Sequence, residues 1–196
     1  FLMSGIFWQI SFEKKLNKKQ TYIFCSNHTS HLDIPLFILI LRGMNFAFMG
    51  KDELAKIPFF NIFFKTIDIP VDRKSRVKSH NALLQAEGYL EKAVNLVIFP
   101  EGTSSEIAPT LLKFKNGAFK LAIEKQVPIV PITMLDNWKL FLDDLKYRGK
   151  PGITRAIVHQ PIARQPVYAG HCGGAGPGYR YPTPIVRPSP SPLFPR

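Results

Sequence analysis

Short β-type runs alternate with segments of helical periodicity along most of the chain, and this alternation constrains the fold more than any other sequence feature. Strands are expected where apolar and β-branched residues cluster over four or five positions. Six such runs are present: Tyr22–Ser26, Asn45–Met49, Ile67–Pro70, Asn95–Phe99, Ile129–Thr133 and Arg155–His159. Strands interleaved with helices predict a single α/β domain, with a mixed, largely parallel sheet flanked by helices.

One helix has a clear amphipathic pattern between Ile69 and Asn95. Ser75 is a candidate N-cap, because its hydroxyl can accept a hydrogen bond from a free backbone N–H of the first turn. The residues that recur at helical spacing on the predicted apolar face are Leu83, Ala86, Leu90 and Ala93. This segment therefore predicts a helix that packs against the sheet.

The two ends of the chain differ from the alternating body. Residues 1–20 begin with the apolar stretch FLMSGIFWQI, which predicts a membrane-proximal segment, either the end of an anchor or a helix lying in the interface plane. Residues 164–196 contain 13 Pro or Gly among 33 positions and no acidic residue, so they predict a disordered tail that looks foreign to the rest. The body, residues 21–163, is the expected catalytic domain.

The charge balance restricts the kind of partner. Lys and Arg number 26 against 14 acidic residues, a net charge of +12, which suits nucleic acid, an anionic membrane or a phosphorylated substrate. Sixteen Phe residues favour lipid among these. The two cysteines have no metal-ligand spacing, so a metal site is not indicated.

The motif NHTSHLD, residues 27–33, places a histidine and an aspartate four intervening residues apart, directly after a predicted strand. His28 could remove a proton from an alcohol, and Asp33 could fix its tautomer and stabilise the imidazolium. Asp33 could instead only cap the following helix. His31 is a competing candidate for the base.

Three further blocks contain candidate binding residues. FPEGTSS, residues 99–105, follows a strand, where α/β folds bind ligands, and it offers Glu101, Gly102 and Thr103; alone it could be an ordinary turn. IDIPVDRKS, residues 67–75, offers the fork of Arg73 to a phosphate, or only a solvated basic turn. VPIVPIT, residues 127–133, favours a core strand.

Together and in this order, the four blocks resemble the glycerolipid acyltransferase family, typified by 1-acyl-glycerol-3-phosphate acyltransferase. The likeness covers about Tyr22 to Pro161 and includes LLKFKNGAFKLAIEKQVPIVPIT, residues 111–133. The joint match is specific, although each motif alone is not. One departure is Ser104, where many members have Arg after FPEGT; this leaves more of the phosphate binding to Arg73, Lys113 and Lys115.

The resemblance implies transfer of a fatty acyl group from acyl-CoA or acyl carrier protein to the sn-2 hydroxyl of lysophosphatidic acid. It implies catalysis by His28 and Asp33 without a covalent intermediate, cofactor or metal. The residues that it implies for substrate binding are Arg73, Glu101, Gly102, Thr103, Lys113 and Lys115. It also implies an anionic membrane surface as partner, at the cytoplasmic face of the inner or plasma membrane.

Three alternatives remain. Another acceptor, such as glycerol-3-phosphate or a different lysolipid, would suit the same motifs. A non-catalytic peripheral membrane module would keep the fold and the positive surface, although such a module has no use for a base. A nucleic-acid binder is the weakest alternative, because no recognised module pattern supports it.

Overall fold

The computed structural model describes residues 5–50, 69–71, 76–105, 107–141 and 149–162, with only the backbone for residues 76–80. Within these described residues, seven strands form one sheet. The strands are β1 (Ile6–Phe12), β2 (Ile23–Ser26), β3 (Phe46–Gly50), β4 (Ile69–Pro70), β5 (Asn95–Ile98), β6 (Ile129–Met134) and β7 (Gly152–Val158). The helices are α1 (Asp33–Ile40), α2 (Arg76–Glu91), α3 (Gly117–Lys125) and the short α4 (Asn137–Leu140).

The strand order across the sheet is β1-β7-β6-β2-β5-β3-β4. All neighbouring pairs are parallel except β6 with β7. The predicted α/β fold with a mixed, largely parallel sheet is therefore confirmed. Strand β2 lies between β5 and β6, both parallel to it, so the carboxyl ends of these three strands meet at one edge.

Each face of the sheet carries its own apolar core. On one face α1 packs against alternating strand residues, with Phe37, Phe24 and Val97 fully buried. On the other face α2 and α3 cover residues such as Ile23 and Leu96. Burial on both faces explains why the central strands read as continuous apolar runs rather than as an alternation.

The six predicted strands are present wherever the structure describes them, with bounds that shift by up to three residues. Ala86 and Leu90 lie on the buried face of α2 as expected, and Leu83 is half-buried. Ala93 does not belong to that face: the helix ends at Glu91, and Ala93 is exposed with φ of 57°. Ser75, the predicted N-cap, lies outside the described residues.

The opening segment requires a correction. The described part of it is strand β1, hydrogen-bonded in parallel to β7 along its whole length, and not a helix in an interface plane. Strand pairing satisfies the backbone groups that a helix would have satisfied internally, and the β-branched and aromatic residues IFWQISF favour the extended form. The α/β sheet therefore includes residues N-terminal to the expected boundary at residue 21.

The chain divides into two units, Phe1–Gln165 and Pro166–Arg196. The predicted disordered tail, residues 164–196, lies outside the described residues. Within the described ranges, no helix is long and apolar enough to cross a bilayer.

Candidate active site

The candidate site lies at the carboxyl edge of the three central parallel strands. Asn27 follows β2, Phe99 follows β5, and Leu135 follows β6. The Asn27 amide fastens two of these strands together: it donates to the Met134 carbonyl at 3.0 Å and accepts from the Met134 N–H at 2.8 Å. This clamp fixes where the loop that carries His28 leaves the sheet.

His28 and Asp33 form the predicted contact. His28 Nδ1 and Asp33 Oδ2 are 2.9 Å apart, with the His28 residue 9% exposed and Asp33 fully buried. Asp33 also accepts N–H groups from Thr29 at 2.8 Å and Ser30 at 3.0 Å, so it closes the loop and begins α1. The carboxylate thus orients the imidazole and closes the loop before α1. The alternative that Asp33 caps this helix is wrong, because Asp33 is its first residue and the N-cap position, Leu32, makes no side-chain cap hydrogen bond.

The tautomer of His28 follows from this contact. An ionised carboxylate can only accept, so Nδ1 carries the hydrogen and Nε2 presents a lone pair. The ring stacks on Phe99, with centroids 4.1 Å apart and planes 19° from parallel. Packing on one side and a hydrogen bond at one edge together fix the ring. His31, the competing candidate, packs instead against Phe141 at 5.9 Å.

Asn137, in α4, is a site residue that the sequence motifs did not single out. Its side-chain amide donates to Asp33 Oδ1 at 2.6 Å, and its carbonyl oxygen accepts the hydroxyl hydrogen of Thr154 in β7. Asn137 is fully buried. The sequence signal that could have identified Asn137 is its position just after the predicted strand β6. The carboxyl edge of the sheet is where α/β folds gather functional side chains.

Glu101 joins two loops at the site. Its carboxylate accepts the N–H of His28 at 2.9 Å and the N–H of Leu112 at 2.7 Å, and the residue is 3% exposed. The structure therefore gives Glu101 a positioning contact with the backbone of His28. A direct contact between Glu101 and substrate, expected from the motif, stays a prediction.

Gly102 adopts a left-handed conformation, with φ of 76°, beside the side chain of Lys115. A Cβ atom at this position would lie 2.6 Å from Lys115 Nζ, so any larger residue would displace the ammonium. The N–H of Gly102 donates to the Phe99 carbonyl at 2.9 Å, within a turn. The backbone donor of Gly102 is thus already engaged, and Lys115 is the nearby positive group.

Pro100 lines two cavities. The larger, about 650 Å³, has a predominantly apolar wall that includes Thr29, Pro100, Leu111, Phe114, Met134 and Trp138. The smaller, about 320 Å³, is lined by Val71, Phe99, Pro100, Gly102 and Lys115 among others. The Thr29 hydroxyl, buried in the loop beside His28, has no hydrogen-bond partner among protein atoms.

The remaining predicted site residues occupy different positions. Thr103 and Lys113 are exposed, in the loops that follow β5 and precede α3. Arg73 lies outside the described residues, two positions after Val71 in the smaller cavity wall.

Cys25 lines the larger cavity, but burial raises the pKa of its thiol to about 12, which keeps it neutral and poorly nucleophilic.

A buried His–Asp pair at the carboxyl edge of an α/β sheet is an arrangement suited to general-base chemistry. The model of the acyltransferase family matches residues 8–135. The chain belongs to this acyltransferase family.

Three relatives show the range of similarity. The chain is 31% identical over 141 residues to the chloroplastic 1-acyl-sn-glycerol-3-phosphate acyltransferase LPAT1 of Arabidopsis thaliana, covering 71% of this chain and 39% of the relative. It is 37% identical over 112 residues to the 1-acyl-sn-glycerol-3-phosphate acyltransferase of Haemophilus influenzae, covering 56% and 46%. The crystal structure of the 1-acyl-sn-glycerophosphate acyltransferase PlsC from Thermotoga maritima aligns with a TM-score of 0.64 at 26% identity, covering 82% and 64%. The chain therefore spans less than two thirds of the length of each.

Proposed function

We propose that the protein transfers a fatty acyl group from a thioester carrier to the sn-2 hydroxyl of lysophosphatidic acid, giving phosphatidic acid at a membrane surface. The observation that carries this proposal is the His28–Asp33 pair, buried and fixed by four contacts on the carboxylate. The relatives named as 1-acyl-sn-glycerol-3-phosphate acyltransferases support the choice of acceptor.

In the proposed reaction, His28 Nε2 takes the proton of the acceptor hydroxyl as its oxygen attacks the thioester carbonyl carbon. Asp33 stabilises the imidazolium that forms. The tetrahedral intermediate collapses, the carbon–sulfur bond breaks, and the imidazolium returns its proton to the leaving thiolate. No residue of the enzyme is acylated, which agrees with the neutral Cys25 thiol in the cavity wall.

One cavity suits the hydrocarbon chain of a substrate, and the other suits the phosphate of the acceptor. The apolar cavity of about 650 Å³ can hold a hydrocarbon chain, and the unpartnered Thr29 hydroxyl beside His28 could donate to the reacting carbonyl. The smaller cavity contains the Lys115 ammonium, so it suits the acceptor phosphate. We include Arg73 in this phosphate site by resemblance, together with Lys113. The carrier is acyl-CoA or acyl carrier protein, and the reaction is placed at the cytoplasmic face of the inner or plasma membrane.

The direct test is mass-spectrometric detection of phosphatidic acid formed from lysophosphatidic acid and acyl-CoA, or acyl carrier protein, in mixed micelles. Glycerol-3-phosphate and other lysolipids serve as competing acceptors. Product from one of these at a higher kcat/KM would replace lysophosphatidic acid in the proposal. No product from any acceptor, with a correctly folded chain, would overturn it.

Arg73→Lys tests the phosphate assignment separately. A guanidinium makes two parallel charge-assisted bonds to phosphate, and an ammonium cannot reproduce that fork. We expect the acceptor KM to rise about tenfold while the carrier KM is nearly unchanged, because uniform binding of the acceptor is lost. Equal effects on both substrates, with a lower melting temperature, would instead mean that Arg73 only stabilises its loop.

A further inference from the structure

The segment from Ile107 to Lys120 combines exposed apolar side chains with an unbalanced positive charge. Ile107, Leu111 and Phe114 are 58%, 53% and 41% exposed. Lys113, Lys115 and Lys120 are exposed between and after them, and the segment contains no acidic residue. Large apolar residues are usually buried, so several on one short segment indicate a surface that binds something.

This segment also forms the rim of the larger cavity. Leu111 and Phe114 line the cavity wall while remaining about half exposed, and Ile162, 61% exposed, lines it as well. Phe114 stacks on Phe119 of α3 with centroids 6.5 Å apart, which holds the rim against the domain. An apolar molecule resting on Leu111 and Phe114 would therefore be in contact with the cavity mouth.

The backbone of the segment is tied to the catalytic loops. Glu101 accepts the Leu112 N–H at 2.7 Å and the His28 N–H at 2.9 Å, and the Lys115 N–H donates to the Pro100 carbonyl at 2.8 Å. These hydrogen bonds hold the backbone beside Leu111 at a fixed position relative to His28. Whatever binds at Leu111 is therefore positioned relative to His28 as well.

We infer that residues 107–120 are a docking surface for an anionic lipid bilayer, with Ile107, Leu111 and Phe114 entering the interface and the lysines contacting headgroups. Lysines beside an interface are attracted to anionic lipids, and exposed apolar side chains gain by leaving water. Docking here turns the mouth of the apolar cavity toward the lipid phase that contains a long-chain acceptor. The biological purpose of this docking rests on the proposed function. Binding to vesicles, however, can be measured whether or not the protein has that activity.

The occupant favoured by the structure is a bilayer rather than a protein. An acidic acyl carrier protein would also be attracted to three lysines. However, Ile107 and Leu111 are both more than half exposed and Leu111 lines the apolar cavity, so this surface fits a fluid apolar phase that needs no matching shape. The acidic protein is therefore kept as a distinct outcome of the test.

The test is co-sedimentation of the full chain with vesicles of phosphatidylcholine, with and without one quarter phosphatidylglycerol. Ile107→Ser with Leu111→Ser is compared with the matched control Leu84→Ser with Ile123→Ser. The control pair is also one Leu and one Ile: Leu84 is 51% exposed on helix α2, and Ile123 is 61% exposed on helix α3. The expected result is a fall of about tenfold or more in partitioning for the first pair only, from the apolar area that no longer leaves water.

The electrostatic part is tested with Lys120→Gln and the control Lys14→Gln, both at exposed lysines. The first should weaken binding to the anionic vesicles about fivefold at low salt, while the control has a smaller effect. Equal losses for the two pairs of apolar variants, or for the two lysine variants, would overturn the inference.

Two further arms separate this inference from the proposed function. His28→Ala should bind vesicles like the wild type, because the imidazole takes no part in docking. If the wild type binds vesicles through residues 107–120 but makes no product, the function fails and the docking surface stands. If Ile107→Ser with Leu111→Ser binds vesicles normally but raises the KM for acyl carrier protein, the surface binds the protein carrier and the bilayer inference is wrong.

Discussion

Two histidines that follow strands of the sheet each contact a carboxylate, but the two pairs differ in burial and in their other contacts. His28 Nδ1 is 2.9 Å from Asp33, and His159 Nδ1 is 2.8 Å from Glu13. The Asp33 side chain is fully buried, whereas that of Glu13 is 49% exposed. A His–carboxylate distance therefore does not by itself identify a catalytic pair.

The second nitrogen distinguishes the two rings. His159 Nε2 lies 2.9 Å from the Thr133 hydroxyl, so both ring nitrogens contact other side chains of the protein. The ring therefore connects β6 to the residues that follow β1. His28 instead uses Nδ1 for Asp33 and stacks on Phe99 at the wall of the smaller cavity. The comparison teaches that a base needs a fixed ring and one nitrogen left to the substrate.

The largest expected effect is on turnover when the two rings are removed in turn. His28→Ala should lower kcat by roughly 100-fold or more, as expected for loss of a general base. His159→Ala should leave kcat within about twofold, because its ring only joins structural elements, and should slightly lower the melting temperature. Steady-state kinetics and thermal melts of both variants provide the measurement.

His31→Ala is the control for the choice of base within the motif itself. We expect a much smaller effect than for His28→Ala, because His28 Nδ1 lies 2.9 Å from Asp33 Oδ2, whereas the His31 ring packs near Phe141. Near-normal turnover of the His28 variant with an inactive His31 variant would reverse the assignment.

An intermediate effect is expected from the residue behind Asp33. Asn137→Ala removes the amide that donates to Asp33 Oδ1, which leaves the carboxylate less firmly oriented. We expect kcat to fall on the order of tenfold with both KM values little changed. Stability should fall by about 1–3 kcal/mol, because buried partners lose a hydrogen bond.

Asn95→Ala is the matched control for that variant. Asn95 is another buried asparagine with two hydrogen bonds, to the Tyr22 N–H at 2.8 Å and the Asn45 carbonyl at 2.7 Å, but it begins β5 at the opposite edge of the sheet. It should lose similar stability with unchanged kcat per folded molecule. A tenfold loss of kcat in both variants would mean that Asn137 acts only through global stability.

The smallest expected effect is a pH dependence at the exposed pair. The N–H of Gln160, followed by the His159 ring, holds the pKa of Glu13 below its usual value near 4.5. Because the folded state binds this proton less tightly than the unfolded state, the contact stabilises above about pH 5 and is lost as pH falls through the folded pKa. The difference in melting temperature between wild type and Glu13→Gln should shrink in acid; a constant difference from neutral pH to pH 4 would contradict this.

Much of the fold could be predicted from the sequence because the signals are local. Continuous apolar runs such as Asn95–Phe99 mark strands buried on both faces, and the motif at residues 27–33 has its His and Asp close enough in the chain to meet across one loop. The opening residues suit a helix in a membrane interface and a strand at a sheet edge equally well, because both favour aromatic and apolar residues. Only pairing with β7, far along the chain, decided for the strand.

The sequence alone determined the family and the α/β class and predicted the contact between His28 and Asp33, since each depends on residue types at characteristic spacing along the chain. Tertiary structure alone decided that Asn137 stands behind Asp33, that Glu101 holds the backbone of His28, and that Lys115 lies over Gly102. The physical reason is that these contacts join loops after different strands. Parallel pairing of β5, β2 and β6 brings those loops to one edge of the sheet. The spacing of residues along the sequence does not show that the loops are close in space.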